Sequence, residues 1–336
     1  MPDKAELLPK DRVQEAAATC QQVLDTMNEV IFGKPDLIRL AFATILAGGH
    51  GLLEGLPGLG KTVLAKSFST ALGIDFSRVQ FTPDLLPSDI TGSYMLKEGE
   101  ADREMEFYPG PIFTNLLLAD EVNRASPKTQ SALLEAMSEY QVTQLGNRMP
   151  LERPFCVLAT QNPIEMEGTY PLPEAQIDRF AVKLNVDSTG RDTLKRIITE
   201  RKTGEPDPPP QVTDLEGLLG LQDMVKDVVL PDAVSDHVSA VVDMSHPGSE
   251  HATERITQSV KYGSSPRGAI WMAQISRALA LMDGRPAVGF EDVRTAAPAV
   301  LGHRLILHHA ARLDGYTGRE LAVELVDQSE EDIVSR

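Results

Sequence analysis

The segment GLPGLGKT, residues 55–62, combines glycines with a lysine and a threonine at the spacing that binds nucleotide phosphates. It fits the pattern G-x-x-x-x-G-K-[ST] and lies between the strand-like GLLE and the helix-like TVLAKSFSTAL. Glycines let backbone N–H groups turn toward phosphate, and a helix N-terminus adds partial positive charge. We therefore expect Lys61 to reach the β and γ phosphates of ATP and Thr62 to ligate Mg²⁺. The predicted nucleotide-binding residues are Gly55, Pro57, Gly58, Leu59, Gly60, Lys61, Thr62 and Val63.

An acidic pair closes the apolar run LLLADE, residues 116–121. An unbroken apolar run is typical of a central parallel strand, and a nucleotide site needs a second strand that ends in an acid. We expect Asp120 to ligate Mg²⁺ and Glu121 to orient and polarise an attacking water. A lone aspartate would suit a switch or a kinase, whereas the Asp-Glu pair favours hydrolysis. The plain alternative is two solvated acids at the end of a strand.

Two further polar residues lie close to these motifs in the chain. Asn162 follows the next apolar run, in ATQNP, and Asn-Pro taken alone is merely a good turn. Because a phosphate loop and an acidic pair precede it in the chain, we expect Asn162 to lie beside the strand of Asp120 and to hydrogen-bond the water or the γ-phosphate. Arg124, in DEVNRASPKT, follows the acids by a short loop. Three alternatives stay open for Arg124. It could contact the nucleotide, a neighbouring subunit or only backbone carbonyls.

Length, charge and cysteine content limit the class of protein. The 336 residues exceed the roughly 250–300 at which single cores stop growing, so we expect two domains. The net charge of −17 argues against loose adsorption to nucleic acid or anionic lipid, although it does not exclude a local basic channel. Cys20 and Cys156 have no metal-ligating residues at short spacing, and the histidines at 303, 308 and 309 lack carboxylates at ligand spacing. The cysteines and histidines therefore do not indicate a metal site. We expect a cytoplasmic protein without direct membrane insertion.

The chain changes character near its middle. Helical and strand-like segments alternate up to about residue 187, which indicates a mostly parallel α/β sheet. GEPDPPPQ, residues 204–211, contains three consecutive prolines that forbid helix and favour an extended spacer. We expect the last residues, DQSEEDIVSR, to fray, and the helix after SSPRG to face the core through Ile270, Ala273 and the apolar neighbours of Arg277. Helical spacing beyond the prolines covers residues 213–229, 231–244, 266–283 and 289–300.

The order of these motifs resembles a known family. GLPGLGKT, LLLADEVNRASPKTQSALLEAM, ATQNP, LPEAQIDRF and SSPRGAI are similar to the MoxR family of AAA+ ATPases, from about Ile31 to His303. The resemblance implies an α/β fold, a P-loop NTPase αβα sandwich (AAA+) with a C-terminal α-helical lid domain. We place the AAA+ nucleotide-binding domain at residues 1–190, a linker region at 191–211 and the lid domain at 212–336. It also implies a homo-oligomeric ring, commonly a hexamer, that hydrolyses ATP between subunits.

Two arginines take their predicted roles from this resemblance. Arg179, in PLPEAQIDRF, matches an arginine finger that points at the γ-phosphate bound by the neighbouring subunit. Such fingers contribute about 10³–10⁵ in rate, whereas the alternative, an exposed pair with Asp178, is worth roughly 0–1 kcal/mol. Arg267 follows Ser265 as a helix N-cap and Pro266 at the first turn. It matches the second sensor of the lid, which contacts the γ-phosphate in the same subunit, with a plain helix-surface arginine as the alternative.

Two insertions are placed where they could line a central pore. SYMLKEGEADREMEFYPG has two alternating arms around the turn-like KEGEAD, and QVTQLGNRMPLERPF has a turn at Gly146 and Asn147. A DNA-translocating relative would need lysines or arginines there to meet phosphates. Residues 94–109 hold two basic and five acidic side chains, and residues 141–154 hold two basic and one acidic. These charges favour a protein substrate. The alternative is that both hairpins are solvent-exposed and do not contact a substrate.

The predicted function is an ATP-hydrolysing AAA+ ring ATPase of MoxR type, with ATP and Mg²⁺ as cofactors. By resemblance it remodels or activates protein clients, often with a partner that carries a von Willebrand factor A domain, and nucleic acid is not an expected partner. The alternatives are a Mg-chelatase-like motor subunit, a nucleic-acid motor, a small-molecule kinase and a nucleotide-bound structural subunit. The predicted catalytic residues are Glu121, Asn162, Arg179 and Arg267, and the predicted metal ligands are Thr62 and Asp120.

Overall fold

The computed structural model describes residues 7–98, 103–163, 169–201, 204 and 206–334. Its strands are β1 Gly51–Glu54, β2 Phe76–Gln80, β3 Gly92–Glu98, β4 Arg103–Pro109, β5 Leu116–Asp120, β6 Gln141–Gln144, β7 Asn147–Pro150, β8 Cys156–Gln161, β9 Val182–Asn185, β10 Val260–Tyr262 and β11 Ile306–Leu307. Its helices are α1 Lys10–Val30, α2 Pro35–Leu46, α3 Lys61–Leu72, α4 Pro87–Thr91, α5 Pro127–Glu139, α6 Glu174–Ile177, α7 Arg191–Glu200, α8 Leu215–Asp227, α9 Asp232–Met244, α10 Glu254–Ser259, α11 Pro266–Met282, α12 Phe290–Leu301, α13 His309–Leu313 and α14 Gly318–Val334, with a 3₁₀ turn at Val122–Arg124.

A five-stranded parallel sheet forms the centre of the first domain. Its strand order is β2-β5-β8-β1-β9, and the pairings between neighbours are parallel. The prediction of a mostly parallel sheet is confirmed, although β9 was not predicted as a separate strand. In parallel sheets the strands end at one edge, and polar segments after neighbouring strands meet there. The phosphate loop after β1, the acids that end β5 and Asn162 after β8 therefore share one edge.

Helices cover both faces of this sheet. On β5 the side chains alternate, so that Leu116 and Leu118 belong to one buried cluster, while Leu117 and Ala119 belong to the other. Helices α1, α2 and α3 cover the first face, and α5 covers the second. The unbroken apolar run of β5 is explained by this double burial. The predicted αβα sandwich is confirmed.

The C-terminal part is helical, as the sequence predicts. Helices α8, α9, α11 and α12 correspond to the four predicted segments, and α11 packs against α1, α2, α8, α9 and α12. Residues 191–200, inside the segment assigned to a linker region, form helix α7. Within the described residues, no helix combines the length and the apolar character that crossing a membrane requires.

Two expectations for the helical part are wrong. Ile270 is 58% exposed and Ala273 is half-buried, so these two residues do not form the core face. Met272 and the apolar neighbours of Arg277, among them Ile275 and Leu279, are buried, as expected for the latter. Residues 327–334 of the polar end, which were expected to fray, belong to helix α14, and residues 335–336 lie outside the described residues. Ser329 in that helix is buried, and its hydroxyl lies 2.9 Å from His237 Nδ1, which explains why a polar sequence packs there.

Both predicted insertions are β-hairpins, formed by β3 with β4 and by β6 with β7. Residues 99–102 of the KEGEAD turn lie outside the described residues. In the second hairpin Gln144 pairs with Asn147, so the connecting residues are Leu145 and Gly146, one position earlier than predicted. The hairpins touch each other, because Asn147 Nδ2 donates to Tyr94 Oη at 2.8 Å. Through this contact they form one joint surface.

Candidate nucleotide site

The polar edge of the sheet contains a pocket of about 350 Å³. Lys61 and Thr62 line it from the phosphate loop and α3, and Asp120, Glu121 and Asn162 line it from the ends of β5 and β8. The structure therefore brings together the predicted phosphate, metal and water-orienting groups. The remaining lining residues are Pro57, Gly58, Gly60, Val63, Arg78 and Gln80.

The phosphate loop needs its glycines for two different reasons. Gly58 and Gly60 have φ values of 79° and 85°, in the left-handed region that other residues rarely adopt. Gly55 instead lies against the backbone of Val186, where an added Cβ would come within 2.5 Å of the carbonyl oxygen. Leu59 packs against the main core and does not line the pocket. The sequence pattern alone does not separate these roles.

Lys61 begins helix α3 and is buried beneath the loop. Its Nζ donates to the carbonyl oxygen of Gly55 at 2.5 Å. Burial lowers the pKa of Lys61, and the nearby carboxylates of Asp120, Glu121 and Glu54 oppose this effect. An ammonium group held in this way is a strong attractor for phosphate, because water screens it little.

Asp120 accepts hydrogen bonds at both carboxylate oxygens. Thr160 Oγ1 on β8 donates to Oδ1 at 2.6 Å, and Arg78 on β2 donates to Oδ2 through Nη2 at 2.7 Å and Nε at 3.2 Å. Sequence reasoning did not single out Arg78 or Thr160. The signal for Arg78 is its two-residue spacing from Gln80, which sends both side chains to one face of the strand.

Glu121 has a left-handed backbone, with a φ of 56°. Its N–H donates to Thr160 Oγ1 at 2.8 Å, and its Oε2 accepts from Gln80 Nε2 at 2.9 Å and from Arg124 Nη1 at 3.0 Å. A non-glycine residue at positive φ costs on the order of 1 kcal/mol and marks a constrained position. The Arg124 guanidinium thus binds the predicted catalytic carboxylate, a contact that the sequence did not predict, and its relation to nucleotide or to a neighbouring subunit stays open.

Asn162 is buried directly beyond β8, the strand next to β5. Asn123 Nδ2 donates to its backbone oxygen at 3.5 Å. The side chain lines the same pocket as Lys61 and Glu121. This is the position expected of a residue that binds water or phosphate.

The two predicted arginines lie away from the pocket, and its described lining includes neither. Arg179 Nη1 donates to the carbonyl oxygen of Leu134 at 2.9 Å and to Ser138 Oγ, both on α5. Arg267 Nη1 lies 3.3 Å from Asp178 Oδ2 and is half-exposed. The alternative pairing of Arg179 with Asp178 does not describe this arrangement, because the two side chains have different partners.

Asp178 joins the first domain to the helical part through three residues. Besides Arg267, Ser265 Oγ donates to its Oδ1 at 2.8 Å, although Ser265 sits at the N-cap of α11, where it was predicted to cap the helix. Arg304 Nε also donates to Oδ1, at 3.0 Å. The Arg304 side chain is only 1% exposed, and burial lowers its pKa to about 10 against the opposing effect of Asp178. Sequence reasoning missed Arg304, which lies directly after His303 in a helix-end segment without a motif.

The residues at the pocket fit a bound Mg²⁺. The Thr62 hydroxyl and the Asp120 carboxylate are oxygen donors, which this ion prefers, and they line one pocket with the phosphate loop. Magnesium in nucleotide sites is commonly held by one or two protein oxygens together with substrate phosphates and waters. The donor set therefore fits Mg²⁺ when a nucleotide supplies the remaining oxygens.

Comparisons with known proteins agree with this geometry. The family described as the ATPase family associated with various cellular activities (AAA) matches residues 50–182, and the AAA lid domain matches residues 252–325. The protein named Chaperone MoxR1 of Mycobacterium tuberculosis is 39% identical over 308 residues, which cover 92% of this chain and 80% of that protein. The chain belongs to the MoxR family of AAA+ ATPases.

Other relatives support this membership. YeaC of Bacillus subtilis is 41% identical over 308 residues, covering 91% of this chain and 92% of that protein. The solved structure of a candidate ATPase from Cytophaga hutchinsonii aligns with a TM-score of 0.85 at 34% identity, covering 94% of this chain and 96% of that one. For this MoxR-family protein, the sandwich of β1, β2, β5, β8 and β9 is the AAA+ domain and the helical part is the lid.

Proposed function

We propose that this protein is a Mg²⁺-dependent ATPase that works as a homo-oligomeric ring, a hexamer as is common in its family, and that it remodels protein clients. One observation carries the proposal. Lys61, Asp120, Glu121 and Asn162 share one pocket, while Arg179 lies outside it. A neighbouring subunit that supplies Arg179 would complete the site, and ATP turnover would then depend on assembly. We retain residues 1–190, 191–211 and 212–336 as the proposed division into nucleotide domain, linker and lid.

In this proposal, the pocket residues have different roles in ATP hydrolysis. The phosphate-loop N–H groups and Lys61 bind the β and γ phosphates, and Thr62 and Asp120 hold Mg²⁺. When bound, Mg²⁺ neutralises charge on the phosphate oxygens. Glu121 orients the attacking water and accepts its proton, and Asn162 holds the water or the γ-phosphate in position. Preorganised charges of this kind need little rearrangement during the reaction.

Arg179 and Arg267 act beyond this pocket. We propose that Arg179 is the arginine finger of the neighbouring site, where it stabilises charge on the transferred phosphoryl group. For Arg267 we retain contact with the γ-phosphate bound by the same subunit, which requires its ion pair with Asp178 to open. A pair with one half-exposed member is weak enough to open reversibly.

A second cavity, of about 210 Å³, is a candidate site for the adenosine half of the nucleotide. Gly33 and Lys34 line it before α2, Asn185 lines it at the end of β9, and Arg319 lines it from α14. Strand β9 pairs with β1, which leads directly into the phosphate loop. Residues from the lid therefore take part in this cavity, and nucleotide binding there would bring lid and sandwich together.

The joint surface of the two hairpins is the proposed contact with client polypeptides. Leu96 and Met105 are paired across β3 and β4 and are 61% and 54% exposed. Leu145, at the turn between β6 and β7, is 73% exposed. Exposed apolar side chains suit a polypeptide better than a phosphate backbone. We also propose a partner with a von Willebrand factor A domain and a cytoplasmic location, the latter from the two buried free cysteines.

Client trapping tests the remodelling function. Glu121→Gln keeps the shape of the pocket and removes the base, so we expect ATP binding to persist while turnover falls on the order of 10²–10⁴-fold. With ATP, this variant should retain client proteins from the source cell that Lys61→Ala, which lacks the phosphate-binding ammonium, does not. Stimulation of wild-type turnover by DNA, with no protein recovered specifically by Glu121→Gln, would contradict a protein-remodelling role.

A further inference from the structure

Arg78 lies on the edge strand β2, beside the end of β5. In this register Arg78 pairs with Leu118, and Gln80 pairs with Asp120. Paired residues of parallel strands point to one face, so Arg78 and Asp120 project from the face that α3 covers. Gln80 Oε1 accepts from Arg78 Nη2 at 2.8 Å and helps to hold the guanidinium against Asp120.

The carboxylate oxygen that Arg78 contacts belongs to a proposed metal ligand. Asp120 Oδ2 accepts from both Nη2 and Nε of Arg78, and Oδ1 is engaged by Thr160. A guanidinium and a divalent cation on one carboxylate repel each other, since both carry positive charge. The Asp120 carboxylate, whose Oδ2 lies 2.7 Å from Arg78 Nη2, therefore binds either Arg78 or Mg²⁺ more favourably than both at once.

The Arg78 side chain is also exposed enough to move away from Asp120. The arginine side chain is 47% exposed, whereas that of Asp120 is 13% exposed, so the arginine has solvent into which it can move when its hydrogen bonds to Asp120 and Gln80 are exchanged for water. Half-exposed ion pairs contribute little to folding. The strand itself is held by its backbone pairing with β5 and by the buried side chain of Val79 on the opposite face.

We propose that Arg78 is a positioning residue that competes with Mg²⁺ for Asp120, so that the metal and the guanidinium replace each other at this carboxylate. The proposal rests on the nucleotide function proposed above. It gives Arg78 two opposite effects. Arg78 weakens metal binding at Asp120, and its positive charge attracts nucleotide phosphates when no metal is present.

Metal and nucleotide titrations of three variants test this competition. Mn²⁺, which replaces Mg²⁺ and is detected by electron paramagnetic resonance, is titrated into protein saturated with ADP. We expect Arg78→Gln to bind Mn²⁺ about three- to tenfold more tightly than wild type, because a charged hydrogen-bond partner of Asp120 is lost. Arg78→Lys, which keeps the charge, should lie between them. Arg153→Gln removes an exposed arginine that pairs with Asp223 outside the pocket and should match wild type.

The second readout is ADP binding in the presence of a chelator. Here Arg78→Gln should bind more weakly than wild type, opposite in direction to its effect on Mn²⁺. General damage to the site would weaken both. Unchanged or weaker Mn²⁺ binding by Arg78→Gln, with ADP still bound, would overturn this inference alone. A wild-type protein that binds no ADP would overturn the proposed function as well.

Discussion

His50, directly before β1, is a buried imidazole that hydrogen-bonds two backbone groups. Val157 N–H donates to Nδ1 at 3.0 Å, so the ring is neutral and its Nε2–H donates to the Met137 carbonyl oxygen at 3.0 Å. Burial lowers the pKa of His50 to about 4. This ring joins β8 to the end of α5 and cannot take up a second proton without breaking a hydrogen bond.

The buried ring makes the free energy of unfolding depend on pH. An unfolded histidine titrates near pH 6.5, so between about pH 6.5 and 4 the unfolded chain binds more protons than the folded one, and stability falls as pH falls. From pH 7.5 to 5.0 the loss through His50 is about 2 kcal/mol. Urea denaturation of wild type and His50→Gln at both pH values measures it. We expect the variant to lose about 2 kcal/mol less than wild type, and equal losses would contradict this account.

The sequence predicts the site residues that belong to contiguous motifs. Lys61, Thr62, Asp120 and Glu121 follow short strands in fixed patterns, so their place at the sheet edge follows from the parallel topology. Arg78 contacts the Asp120 carboxylate from strand β2, although the two residues are 42 positions apart in the chain. Its contact depends on strand order and register, which a single sequence does not specify. Arg179 and Arg267 were recognised only through resemblance, and their roles stay predictions.

At the scale of elements, Arg304 ties the end of α12 to the segment before β9. It donates to Asp178 O at 3.0 Å, to Phe180 O at 2.6 Å and to Ala181 O at 3.1 Å, besides the Asp178 carboxylate. The carbonyl of Val300 also accepts from Arg304, so four carbonyls and a carboxylate compensate for burying its charge. Because Arg179 lies inside this bound segment, the lid contact also fixes the backbone from which the proposed finger projects.

Removal of this anchor should destabilise the protein strongly. Arg304→Met keeps much of the side-chain volume but removes the cation from the Asp178 Oδ1 contact and the donor from the four carbonyls. We expect the free energy of unfolding to fall by about 3–5 kcal/mol, measured by chemical denaturation. Arg153→Met, which removes an exposed pair with Asp223, should cost less than about 1 kcal/mol. Similar losses in the two variants would show that Arg304 is not the anchor.

Helical periodicity predicts the existence of lid helices better than their buried faces. Helices α8, α9, α11 and α12 are found close to their expected places, while α7 and β9 were not predicted as separate elements. Ile270 was assigned to the core because α11 is apolar on several faces, yet it lines an open groove beside Tyr140 and Trp271. The buried face of such a helix is chosen by its tertiary neighbours, which here are α1, α2, α8, α9 and α12.

At the scale of the whole molecule, the predicted catalytic arginines lie apart from the predicted catalytic groups of the pocket. Lys61, Asp120 and Glu121 line the phosphate pocket, whereas Arg179 is held against α5 and Arg267 against Asp178. AAA+ proteins generally form oligomeric rings, in which such separation lets one subunit complete the site of the next. The central claim is therefore that Arg179 acts on the nucleotide of a neighbour.

Mixing two inactive variants tests this claim most directly. ATP turnover is measured for Glu121→Gln and Arg179→Ala, first alone and then together under conditions in which subunits exchange. Alone, each should lose on the order of 10²–10⁴ in rate. In mixed rings an Arg179→Ala subunit keeps its own Glu121 and borrows Arg179 from a Glu121→Gln neighbour, so we expect activity to recover. No recovery in a mixture shown to have exchanged subunits would contradict a shared site.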